Sequence, residues 1–238
     1  MIKIVGLYDP EKVKAAPPEA KLVYGNGLLL AAVDVVTVFW GSFWKDQSEL
    51  ASSIDKFFDY IVTSPLIDSL GEYSVDAYKI GSGKHSGSLL VDATISANLD
   101  DAGVTKMLQD KIGDGTLPKP GANTLYFIYL PSGVKIAKDA GASCSTFCGY
   151  HDHIDSNIFY AVMPYPDCVG CLGGLSVFDA LTSTSSHELC EAVTDPIPGQ
   201  GWYDNTYGEI GDICAWKTKK LGDYTIQLEW SNKNNGCM

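Results

Sequence analysis

The sequence predicts an α/β (α+β) fold: one domain over residues 22–238, a mixed twisted sheet with helices packed on it, behind a polar N-terminal arm at 1–21. Three observations point there. Runs rich in β-branched and aromatic residues recur at 33–40, 124–131 and 157–166, and each suits one buried strand. Segments with apolar residues at helical spacing alternate with them, at 46–64, 99–115 and 175–193. Hydrophobic residues make up 45% of the 238 positions and charged residues 19%, enough for a sizeable core. No repeat, low-complexity tract or long linker divides the chain, and mixed strands and helices in this order favour one domain.

Taken in order, Val33, Val35, Val36, Val38, Phe39 and Trp40 mark the first strand. Leu50, Ile54, Phe57, Phe58 and Ile61 then fall on one helical face, with Asp46 expected as N-cap and Pro65 beyond the end. Two further strands are expected at 73–81 and 88–96, around a GSGKHSG turn that lacks phosphate-loop spacing; His85 is expected at its surface. A short helix at 99–115 closes on glycine. TLYFIYLP and NIFYAVMPYP follow as strands, the second expected to offer an open edge to an extended peptide. VFDALTSTSSHELCEAV lies in the last helix, stopped by the proline- and glycine-bearing stretch 196–201, and the tail reads as loop plus strand.

Charge narrows the function classes. All 17 cationic side chains are lysines against 29 acids, a net charge of −12. Nucleic-acid binding needs a cationic face and usually arginine forks, so that class is excluded. No apolar run reaches the ~18 residues of a membrane span, and no membrane partner is expected. The N-terminus shows no hydrophobic leader with a cleavage site, so the expectation is either a cytoplasmic chain or a mature one.

The sharpest chemical signal is His187-Glu188-Leu189-Cys190-Glu191. Positions i and i+4 of a helix share a face, so His187 and Glu191 can reach one ion. Glu188 would project beside it, placed to activate a bound water. Zinc accepts such histidine and carboxylate sets with an open water site. Glu209 and Asp212 are expected to supply one direct oxygen and one acceptor behind the histidine. Asp195 is a weaker candidate, ~12 Å along the axis from His187 if the helix ran on. The bland alternative is a solvated helix face. Calcium held by Asp195, Asp204, Glu209 and Asp212 is a further possibility, since hard oxygens suit it.

Seven cysteines form a second group. Cys144, Cys148, Cys168 and Cys171 have the pair spacing of a structural zinc site, with disulfides an equal alternative. His151 and His153, between the pairs, could add ligands to that site, but histidines near a turn read more readily as hydrogen-bonded loop residues.

An ordered series of motifs is similar to the phosphate-induced protein (exordium-like) family. It runs from Tyr24-Gly25, Gly27 and Leu29 through Trp40-Gly41, Phe57-Phe58 and Ser64-Pro65. It continues with Cys144, Cys148-Gly149, His151, Tyr160-Ala161-Val162, Cys168, Cys171, Val193-Thr194-Asp195-Pro196 and Cys214, over roughly residues 22–237. Plant members are secreted cell-wall proteins without an established enzymatic activity. This chain departs from them in the stretch from Ser186 to Cys214, where it resembles microbial and fungal relatives that look like zincin-type metallopeptidases. That resemblance implies a zincin-like domain, His187 and Glu191 as ligands and Glu188 as base. It also implies three disulfides among cysteines 144, 148, 168, 171, 214 and 237, with the pairing open, and a free, buried Cys190. Such cross-links would make a secreted mature chain the better expectation.

The expected function is therefore a zinc-dependent peptidase-like hydrolase in which Glu188 activates a metal-bound water against a peptide carbonyl. The alternative is a non-catalytic secreted protein that binds cell-wall polysaccharide or another protein, with a structural metal or none. Trp40, Trp44, Trp202, Trp216 and Trp230 are its candidate sugar-stacking residues.

Overall fold

The computed structural model describes residues 4–10, 13 and 19–238; the rest of the expected arm lies outside the described residues. The central sheet has six strands: β1 (Val5–Gly6), β2 (Asp34–Trp40), β3 (Lys84–Val91), β4 (Thr124–Tyr129), β5 (Phe147–Ile154) and β6 (Ile158–Met163). Their order is β1-β5-β6-β4-β2-β3. The four strands from β6 to β3 run parallel, while β5 is antiparallel to both β6 and β1.

Parallel strands covered on both faces read as continuous apolar runs, which is why β2, β4 and β6 stand out in the sequence. Alternate residues divide between two cores. Val35, Phe39, Leu125, Phe127, Phe159 and Ala161 meet Phe57, Phe58 and Ile61 of α1 (Ser48–Ile61) and Leu181 and Leu189 of α3 (Val177–Thr194). On the opposite face, Val36, Val38, Tyr126, Ile128, Tyr160 and Val162 meet Val104, Met107 and Leu108 of α2 (Asp101–Gly113). The result is a three-layer mixed α/β sandwich.

Several local expectations are corrected. Asp46 ends a separate short helix, Phe43–Asp46, and Gln47 takes the N-cap of α1. Pro65 lies beyond the end of α1, as expected, and opens a short helix whose cap Ser64 accepts from the Leu66 N–H. Residues 73–81 hold no strand beyond a Val75–Tyr78 bridge. The GSGKHSG stretch is largely strand: β3 begins at Lys84, and Gly87 at φ +113° absorbs a bulge opposite β2. His85 is accordingly buried, its Nδ1 2.8 Å from Asp59. The expected open edge at 157–166 does not exist either, because β6 is paired on both sides. Val5–Gly6, within the expected arm, forms β1 and pairs with β5.

Helix α3 positions the site. Ser176 caps its start by accepting from the Asp179 N–H at 3.1 Å. The Thr/Ser run 182–186 is a weak helix-former, yet residues 180–194 are all buried. Small hydroxylated side chains let the helix lie close between the sheet and a hairpin formed by β7 (Thr218–Leu221) and β8 (Tyr224–Gln227). Their hydroxyls are satisfied, for example Ser185 with the Tyr129 phenol at 2.7 Å and Thr182 with the Thr225 carbonyl at 2.8 Å. Beyond Thr194 the Asp195 carboxylate accepts N–H bonds from Gly199, Gln200 and Gly201, which turns the chain.

Three disulfides join Cys144 to Cys168, Cys148 to Cys171 and Cys214 to Cys237, leaving Cys190 free and buried. These bonds occupy the cysteines that might have formed a structural zinc site.

Candidate metal centre

His187, Glu188 and Glu191 leave one side of α3 and are completely buried, as are His151 on β5 and Glu209 in the loop before β7. A solvated helix face is thereby ruled out. Cross-strand neighbours share a face of a sheet, and His151 lies opposite Ala161, which faces α3. That register carries the imidazole to the helix carboxylates. His151 Nδ1 is 3.1 Å from Glu188 Oε2 and 3.6 Å from Glu191 Oε2. Its Nε2 donates to the Asp195 carbonyl at 3.1 Å and stands 3.5 Å from Glu209 Oε1.

On the other side of Glu191, its Oε1 lies 2.9 Å from His187 Nε2, without the alignment of a hydrogen bond. The same oxygen accepts the Asp212 N–H at 3.1 Å. Behind His187, the Gln227 amide nitrogen sits 2.7 Å from Nδ1 and donates to the Gly211 carbonyl at 3.0 Å, while its oxygen accepts from the Trp216 N–H at 3.0 Å. With the amide nitrogen facing it, Nδ1 is the acceptor. Ligation of a cation through Nε2 requires the proton on Nδ1 and the amide turned over, at the cost of its bonds to the Gly211 carbonyl and the Trp216 N–H. Gly211 makes room for the ring: a Cβ there would lie 2.7 Å from Nδ1.

The electrostatics are those of a buried acidic cluster. Burial pushes Glu188 above the ordinary carboxylate range, and the His151 hydrogen bond opposes it. Glu209 is pushed up further, by burial and then by the charge of Glu191. Glu229, also buried, is raised mainly by burial. Burial alone would lower the His151 imidazole, but its bond to Glu188 and the charges of Glu188, Glu191 and Asp195 hold it at about 9. Even so, His187 Nε2, Glu188 Oε1, Glu191 Oε2, both Glu209 oxygens and both Glu229 oxygens are buried with no hydrogen-bond partner.

Among the described residues two sets could close on an ion here: His187 with Glu188 and Glu191, and His151 with Glu191 and Glu209, the donor atoms of each lying within 4.8 Å of one another. No such set includes Asp212, Asp195 or Asp204. Asp212 instead accepts the Glu209 N–H at 3.2 Å and orients that loop. Asp195 ends the helix, and Asp204 accepts from the Lys21, Thr206 and Tyr207 N–H groups. The all-oxygen arrangement expected for calcium is thus not assembled. Gln227 was invisible to sequence reasoning, and His151, considered there as a loop residue or an extra ligand beside the cysteines, lies instead on β5 against the helix carboxylates. No protein-family model matches this chain, and no curated protein matches it.

Proposed function

We propose that this chain is a zinc-binding, peptidase-like hydrolase with a zincin-like domain, similar to the microbial relatives of the exordium-like family. His187 and Glu191 are its helix ligands and Glu188 is the general base, while Glu209 stands on the far side of Glu191, beside His151. One observation carries the reading: nitrogen and oxygen atoms of His187, Glu188, Glu191 and Glu209 are buried together without partners. Unsatisfied buried polar and charged groups cost several kcal/mol each unless a cation or proton completes them. Imidazole with carboxylates suits zinc, whereas calcium asks for about six to eight oxygens.

A zinc ion held there supplies Lewis-acid chemistry, polarising a carbonyl and acidifying water. Glu188 holds the proton taken from the nucleophilic water and returns it to the leaving amine; its raised pKa suits it to both transfers. His151 pairs with Glu188 through Nδ1 and fixes that carboxylate. Asp212 and Gln227 hold Glu191 and His187 in place. The acidic surface favours cationic or neutral peptide substrates over acidic ones.

A second reading, a non-catalytic extracellular protein with a structural metal, draws support from the complete burial of the helix donors, since structural zinc sites are closed and catalytic ones keep an open position. Sugar stacking has less support: Trp40, Trp44 and Trp230 are buried and Trp202 and Trp216 are half-buried. Metal content by mass spectrometry, followed by a peptide-hydrolysis assay, decides. The hydrolase reading expects bound zinc, lost in His187→Ala, and turnover that Glu188→Gln abolishes while zinc is retained. Zinc without turnover leaves the structural reading; no zinc uptake ends the hydrolase and leaves a non-catalytic protein without a metal.

A further inference from the structure

Resting on that metal reading, we propose that the centre holds two divalent cations, with Glu191 as the bridging ligand and His151, which the helix motif does not include, anchoring the second. The donors fall into two sets rather than one. No set of described residues with mutually close donor atoms contains both histidines, yet each histidine belongs to one with Glu191. The two oxygens of Glu191 point apart: Oε1 faces His187 at 2.9 Å and Oε2 faces His151 at 3.6 Å. A carboxylate so placed binds one cation through each oxygen. Glu209 completes the His151 side, its Oε1 3.5 Å from the ring and both its oxygens otherwise unpartnered. Glu188 stands on the His187 side with its Oε1 unpartnered, where the base of the proposed reaction is needed.

Charge allows the same count. Glu188, Glu191, Asp195, Glu209 and Glu229 are all buried, and among the described residues their ion pairs are with the two histidines alone, no lysine pairing with any of them. Carboxylates raised by burial, as Glu188, Glu209 and Glu229 are, are completed by protons or by cations, and the five together offer donors enough for two dications. Paired metal ions in one site serve hydrolases by stabilising both the attacking and the leaving atoms, so a dinuclear centre also fits the proposed reaction class.

The test is the zinc stoichiometry of the intact, disulfide-bonded protein after equilibrium dialysis and desalting, read by mass spectrometry. Two equivalents are expected, falling to one in His151→Ala and in Glu209→Gln. Circular dichroism and a single free thiol will establish that the variants fold. Paramagnetic resonance of the unaltered protein loaded with manganese provides a readout free of substitutions, and a spin-coupled pair is expected. Saturation at one equivalent, or two equivalents that survive His151→Ala, overturns the dinuclear centre but leaves the zinc reading standing. Failure to take up any zinc overturns both.

Discussion

Gly211 and Gln227 grip the His187 ring from the side opposite its carboxylates, and neither has any chemistry of its own to advertise in the sequence. Outer partners of this kind are typically worth about 10–100-fold in metal affinity. Gln227→Ala is expected to weaken zinc binding by about that factor, measured by competition with a chromophoric chelator, while leaving stoichiometry unchanged. Affinity equal to that of the parent protein would remove Gln227 from the centre. His187, Glu188 and Glu191 could be read from sequence because the helical period puts the first and last on one face whatever surrounds them. His151 could not. Gly149-Tyr150-His151-Asp152-His153 has neither period nor strong strand propensity, and only its register against Ala161 turns the ring toward α3.

Among the elements, α3 shows how far patterning reaches. Its helical character survived a Thr/Ser run because small side chains are what a helix wedged between two layers requires, and the 196–201 stretch marked its end. Strand β3 was legible only in its second half: the strand expected at 88–96 covers its residues 88–91, while Gly87 and the bulge disguise its start. At the start of α3, Asp179 binds the Thr225 hydroxyl on β8 and Lys220 on β7, the latter at 2.9 Å. The Thr225 bond and, behind it, those to Lys220 and Ser176 hold its carboxyl below the ordinary range despite partial burial. A carboxylate depressed in the folded state contributes stability above its unfolded pKa of about 3.9 and loses it as pH falls through the folded value. Asp179→Asn should therefore lower stability at pH 7 but show a shallower decline between pH 4 and 2, in denaturant titrations across that range. Parallel acid limbs would show that the contact does no more than pack.

Across the whole molecule, three disulfides suggest an oxidising environment, and no helix among the described residues is long and apolar enough to cross a membrane. Thiol titration in denaturant is expected to find one reactive group, Cys190, and seven only after reduction. Each bridge closes a loop of 23 or 24 residues and is worth about 3 kcal/mol, so reduction should lower the melting temperature by well over about 10 °C. Stripping the metal acts through a different term. A ligand present at a thousand times its dissociation constant adds about 4 kcal/mol, so a chelator should cost roughly 8–16 °C in a calorimeter, and re-addition of zinc should restore it. An unchanged melting curve would show that the buried carboxylates are completed by protons. The order of the centre's parts along the chain has one more consequence, which concerns time. Its donors lie at positions 151, 187, 188, 191 and 209, while Gln227 and the hairpin that cover them follow all of these in the chain. Synthesis from the N-terminal side presents α3 uncovered until the hairpin has been made, and pairings so distant in sequence form slowly. Cation capture thus competes with closure: an ion that arrives early is enclosed, and one that arrives late must wait for the hairpin to open.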